Sequence, residues 1–142
     1  LAGWLHDCAR GWSDDDLLQF AQKHDIEVDA YSRRQPVLLH AAAGSELAAQ
    51  WGITDEDVLR AIRCHTLGKP GMTVLEQIVY LADKIEVNRS YSGIEKLRTL
   101  AYRDFNQALR TAAANSITHV VAKQQLVHPL SVTFWNWLLE HE

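Results

Sequence analysis

Helix-opening chemistry recurs along this chain, and nothing in it opens a strand. Ser13 precedes Asp14, Asp15 and Asp16, an N-cap followed by acidic first-turn residues, and predicts a helix through Leu17, Leu18 and Phe20 to about His24. Pro36 suits the first turn of a second helix, running to about Trp51 and stopped by Gly52. Thr54 with Asp57 opens a third, "TDEDVLRAIRCHT", which sets Val58, Ile62 and His65 on one face. Thr73 with Glu76 repeats the capping-box pattern and launches "VLEQIVYLADKIE", while "LGKPGM" before it reads as a turn. Beyond "RSYSG", residues 94–124 read as two helical pieces with a break near Tyr102, and Pro129 opens a last helix, "PLSVTFWNWLLEH". No stretch alternates apolar and polar residues for long, and no Asn-Gly hairpin turn occurs. The predicted fold class is all-α. Without a repeat or a Pro/Gly-rich linker, the expectation is one domain over residues 1–142.

A chain of 142 residues can bury roughly two-thirds of the surface its unfolded form exposes, enough for a real core. With 47% hydrophobic and 23% charged residues, it has the balance of a soluble globular domain. A net charge of −4 argues against nucleic acid as a partner. Cys8 and Cys64 form no CxxC motif, which excludes a zinc knuckle and a disulfide scaffold and predicts a reducing, cytoplasmic location. No apolar run approaches the roughly 18 residues of a membrane span, so no membrane role is expected.

The chemistry concentrates at four places where a metal-capable side chain interrupts an apolar helical segment. They are His6-Asp7 in "WLHDC", His40 in "VLLHAAAG", His65 in "AIRCHT" and Asp83 in "VYLADKIE". A single histidine in such a setting is more often a packed core residue than a ligand. The carboxylates weigh more, because buried Asp almost always has a partner, and helical bundles aim such groups inward to build metal sites. Three imidazoles and two carboxylates are enough for two metal ions. His24, His119, His128 and His141 lie in polar or helix-terminal settings and are left out, and the two cysteines read as small packed hydrophobes.

In order and spacing, "WLHDCAR", "LLHAAAGSELA", "IRCHTLGKPGM" and "IVYLADKIEVNR" resemble the successive motifs of HD-domain phosphohydrolases, specifically the YqeK-type symmetrical bis(5′-nucleosyl)-tetraphosphatases. The resemblance spans Leu1 to about Arg89. It implies an HD-domain helical bundle around a dinuclear metal centre, expected to be iron, that hydrolyses diadenosine tetraphosphate to two ADP. By the same resemblance His6, Asp7 and Asp83 are metal ligands, Asp7 bridges the two ions, and His40 and His65 serve the second ion. Asp7 and Asp83 are then also the catalytic carboxylates. The family carries an earlier His on a helix before the HD motif. This chain starts at Leu1 within a helix-like pattern, so a single HD domain lacking that N-terminal helix is expected, with dimerisation one way to cover the apolar surface left exposed.

Two metal ions a few ångströms apart can hold a bridging hydroxide and clamp phosphate oxygens, which matches a dinucleoside polyphosphate substrate. His/Asp ligation suits iron, manganese or zinc rather than calcium. Arg10, Lys69 and Arg89 are the candidate phosphate-binding cations, and the Thr66 hydroxyl is a further candidate. Trp4, Trp51, Trp135 and Trp137 read as packing residues, none of them assigned to the site. The alternatives are an HD phosphohydrolase acting on another nucleotide or phosphate ester, and a non-catalytic nucleotide-binding HD domain.

Overall fold

The structure, a computed structural model, describes residues 1–141. Among them the helices are α1 (Ala2–Leu5), α2 (Asp14–Lys23), α3 (Ala30–Arg34), α4 (His40–Gln50), α5 (Glu56–Cys64), α6 (Val74–Ile85), α7 (Ile94–Arg103), α8 (Phe105–Ala122) and α9 (Pro129–Glu140), with a 3-10 turn over Pro36–Leu39. No residue among the described ones is in a strand. The described residues are all-α, as the helix-opening chemistry predicts, and pack as a helical bundle.

Local chemistry accounts for most helix starts. Ser13 accepts a hydrogen bond from the Asp16 backbone N–H, and Thr73 and Glu76 form the reciprocal capping box. At α5 the cap is Asp55, one residue after the expected Thr54, because its carboxylate accepts from the N–H groups of both Asp57 and Val58. Asp104 breaks the 94–124 region, ending α7 and capping α8 through the Gln107 N–H. The helix expected from Pro36 begins instead as a 3-10 turn. The Val37 carbonyl accepts both the His40 backbone N–H and, at 2.5 Å, His40 Nδ1–H, which tightens this turn to an i→i+3 pattern.

Helix α6 is the spine. Its Val79 packs with Ala2, Ala48, Val58, Ala61 and Ile62 from α1, α4 and α5. Tyr80 and Leu81 face the opposite way, into a core with Leu97, Leu109, Phe134 and Leu138 from α7, α8 and α9. A third cluster, Ala9, Leu17, Ala21, Leu39 and Ala43, seats α2 against α4. Trp135 and Trp137 pack on the second core as expected, but Trp51 is 57% exposed at the end of α4, and Trp4 is 91% exposed because α1 turns Ala2 rather than Trp4 toward the bundle.

Two features hold the turn between α5 and α6. Glu76, only 1% exposed, accepts from the Thr73 N–H at 2.6 Å, pairs with Lys69 Nζ at 3.1 Å and lies 3.6 Å from Cys64 Sγ. Gly68 takes φ +68°, and a Cβ there would stand 2.3 Å from the Phe134 ring, so only glycine lets α9 close on this turn.

Candidate metal centre

Four short segments converge beside the α4–α5–α6 interface. His6 is the C-cap of α1 and Asp7 follows it. Their loop packs closely on α4 at Gly44, where a Cβ would meet Cys8 Sγ at 3.3 Å and the His6 carbonyl at 3.5 Å. His40 opens α4, His65 caps the end of α5, and Asp83 lies in the last turn of α6.

The three imidazoles are oriented alike. Nδ1–H of His6 donates to the Gly3 carbonyl at 2.8 Å, that of His40 to Val37 at 2.5 Å and that of His65 to Ile62 at 2.7 Å. Each bond ties Nδ1 to the backbone and turns Nε2 inward, the orientation of a metal-binding histidine. His40 Nε2 and His65 Nε2 approach to 3.1 Å. Two nitrogens this close need a proton or a positive centre between them. Thr66 Oγ1, 3.1 Å from one and 3.2 Å from the other, has a single proton and can satisfy one.

The two oxygens of Asp7 face different donor sets. Oδ1 is 3.3 Å from both His40 Nε2 and His65 Nε2, while Oδ2 is 3.6 Å from His6 Nε2. His6 Nε2 is in turn 3.7 Å from Asp83 Oδ1. All five expected ligands, His6, Asp7, His40, His65 and Asp83, are therefore brought together. Ligand atoms of His6, Asp7 and His65 lie within 4.8 Å of one another. His65 and Asp83 are buried, whereas the Asp7 side chain is 40% exposed and forms the open side.

Electrostatics favour a cation here. Burial opposes ionisation of Asp7, but the imidazoles of His40, His65 and His6, where they carry a proton toward it, outweigh burial and hold the carboxyl well below the usual carboxylate range. A cation on the same nitrogens would do so in their place. Asp83 follows the same pattern: burial raises it, and His6, Lys84 and Arg89 more than reverse that. Burial lowers His65, keeping it neutral and able to ligate. The donors, imidazole nitrogen and ionised carboxylate with no thiolate, fit iron, manganese or zinc. Burial pushes the Cys64 thiol up to about 11, so it supplies no nucleophile at neutral pH.

The other candidate residues divide. Thr66 stands at the cluster, and Arg89 Nη2 donates to Asp83 Oδ1 at 2.7 Å. Lys69 is committed to Glu76, and Arg10 is exposed, with no side-chain partner among the described residues. One residue was missed: Lys84 Nζ donates to Asp83 Oδ2 at 2.7 Å and sits 4.8 Å from the Tyr80 ring centroid. Adjacent helical residues point about 100° apart, so spacing hides this contact; the long Lys84 stem bends back to make it. Lys84 and Arg89 both pair with Asp83, whereas the Asp7 carboxylate faces imidazoles, which leaves it the carboxylate open to a bound cation.

Comparison with known proteins agrees with this geometry. The HD domain family matches residues 1–88. A symmetrical bis(5′-nucleosyl)-tetraphosphatase of Bacillus subtilis is 37% identical over 140 residues, 98% of this chain and 75% of that protein. One from Halalkalibacterium halodurans is 47% identical over 103 residues, 72% of this chain and 55% of its own length. A crystal structure of a predicted HD superfamily hydrolase involved in NAD metabolism, from Clostridium acetobutylicum, superposes with a TM-score of 0.94 at 37% identity, covering 99% of this chain and 75% of that one. The inward-facing imidazoles and carboxylates thus lie in a metal-dependent hydrolase of the HD superfamily, and the chain belongs to the family of the symmetrical bis(5′-nucleosyl)-tetraphosphatases.

Proposed function

We propose that this protein hydrolyses diadenosine tetraphosphate symmetrically to two ADP at a centre of two metal ions, expected to be iron. The observation that carries the two-ion reading is the split of Asp7, whose Oδ1 faces His40 and His65 while Oδ2 faces His6. His6, Asp7 and Asp83 would hold one ion and Asp7, His40 and His65 the other. When bound, such ions supply Lewis acidity toward phosphate oxygens and an acidified water.

The remaining work belongs to the chain. The carbonyls of Gly3, Val37 and Ile62 fix the imidazole tautomers. Arg89 and Thr66, at the cluster, orient phosphate oxygens, with Arg89 suited to bidentate contact. Lys84 keeps Asp83 ionised and in place, and Lys69 braces the turn behind His65 through Glu76. Arg10, exposed one turn beyond Asp7, is placed to meet the outer phosphates. The choice of substrate draws on the names of the Bacillus subtilis and Halalkalibacterium halodurans relatives. Another nucleotide is the second reading, favoured by the Clostridium acetobutylicum hydrolase's description as involved in NAD metabolism.

Chromatography of the products from diadenosine tetraphosphate and metal-loaded protein is the test. Two ADP are expected; ATP with AMP contradicts symmetric cleavage, and no turnover of this compound beside hydrolysis of another nucleotide favours the second reading. Asp7→Asn and Asp83→Asn are each expected to lower kcat at least about a hundredfold with helical circular dichroism retained. Full activity in either would remove its assigned role.

A further inference from the structure

The last carbonyls of a helix have no partner within it and must find one elsewhere. Helix α6 ends without a glycine cap: its C-cap is Glu86, whose ψ of 157° sends the chain straight out of the helix. Side chains from beyond the helix take its final carbonyls instead. Arg89 Nε donates to the Asp83 carbonyl at 3.0 Å, and the Tyr91 hydroxyl to that of Lys84 at 2.8 Å. Arg98, on α7, supplies the next two, with Nε to Ile85 at 2.9 Å and Nη2 to Glu86 at 2.6 Å.

The same Nη2 reaches the Arg89 carbonyl at 3.3 Å. One guanidinium therefore grips both ends of the 86–89 turn, which brings Arg89 back over Asp83. The turn's own bonds, Asn88 N–H to Glu86 Oε2 and Arg89 N–H to the Glu86 carbonyl, shape it without anchoring it to the bundle. Arg98 is braced in turn by Glu95, one turn earlier on α7, and its side chain is mostly covered. A positive planar fork at the negative end of a helix is well matched to this task.

We propose that Arg98 is a positioning residue: by holding the Ile85, Glu86 and Arg89 carbonyls it sets the Arg89 guanidinium where substrate phosphate is bound. This rests on the reading of Arg89 as a phosphate ligand. The test compares metal-loaded wild type, Arg98→Ala, Arg89→Ala and the double variant, measuring KM and kcat for diadenosine tetraphosphate and, independently of turnover, ADP affinity by calorimetry. Arg98→Ala is expected to raise KM and weaken ADP binding by about tenfold, with kcat within about threefold of wild type. In the Arg89→Ala background the same change should alter either quantity by about twofold or less, since the residue it positions is gone. Arg98→Lys, which keeps the charge but cannot span three carbonyls, should fall between and serves if the alanine variant does not fold.

Equal losses from Arg98→Ala in both backgrounds would reduce Arg98 to a structural residue and overturn the inference. So would unchanged KM and ADP affinity in Arg98→Ala while Arg89→Ala impairs both. If Arg89→Ala changes neither, the phosphate assignment of Arg89 has failed first and the inference falls with it.

Discussion

His6, His40 and His65 each surrender Nδ1–H to a carbonyl three residues earlier, and that repeated bond turns ordinary core histidines into potential ligands. The Thr66 hydroxyl stands beside this arrangement, touching two of the three Nε2 atoms. Its hydroxyl can donate to only one nitrogen, so a bound ion would compete with it for that lone pair and leave the hydroxyl to orient a ligand on the ion. Thr66→Val keeps the volume and removes the oxygen. Loss of an outer-shell partner of this kind should weaken metal affinity by about tenfold, read by titration of metal-depleted protein. Unchanged affinity would leave the hydroxyl without a part in metal binding.

The element that brings His65 and Thr66 to the site is the turn between α5 and α6, and its weak point is Gly68. Alanine there must accept φ +68° and displace the buried Phe134 ring, which already lies within 2.3 Å of the Cβ position. Strain and overpacking together should cost about 3 kcal/mol, lowering Tm by roughly 10 °C and reducing metal affinity as the turn shifts. A melting temperature like the wild type's would mean that α9 yields easily. Features of this local kind were legible in the sequence. Ser13, and Thr73 with Glu76, announce α2 and α6 because capping is settled within three residues of chain. The five candidate ligand positions stood out as polar residues interrupting apolar helical segments, and the resemblance of their motifs supplied the roles expected of them. What stayed hidden depends on distant chain. Helix α3 is five residues long and offers no period, being fixed by Asp29 at its start. Trp4 has the composition of a core residue, yet nothing in its spacing says which side of α1 the bundle occupies. Lys84 reaches Asp83 by bending its stem back along α6, and Arg98 meets the Arg89 carbonyl across a turn whose path no spacing rule specifies.

At the scale of the molecule, long-range ties hold the bundle together, and they respond to different conditions. His128, which caps α9, meets the Asp29 carboxylate that caps α3, Nε2 to Oδ2 at 2.7 Å, across 99 residues of sequence. The Ser32 N–H and then His128 hold the Asp29 carboxyl below its ordinary value, against the effect of burial. A depressed carboxyl pKa stabilises the fold above the unfolded value, about 3.9, and that stability is lost as pH falls through the folded value. Asp29→Asn keeps a capping oxygen but loses the charge, so its Tm should lie below wild type at pH 7 and converge with it below about pH 4; a gap constant with pH would assign the tie to geometry alone. The proposed metal centre would be the stronger tie, because its candidate ligands come from the ends of α1 and α5, the start of α4 and the last turn of α6. An ion bound there joins four segments that otherwise meet through small residues such as Ala48 and Ala61. A ligand that binds only the folded state at a hundred times its Kd adds about 2.7 kcal/mol, which for a domain of this size raises Tm by roughly 10 °C. Chelator-treated protein should therefore melt roughly 10 °C lower than protein with excess iron or manganese, and the difference should collapse in Asp7→Asn, whose carboxylate faces both donor sets. An undiminished metal-dependent shift in Asp7→Asn would place the stabilising ion elsewhere in the molecule.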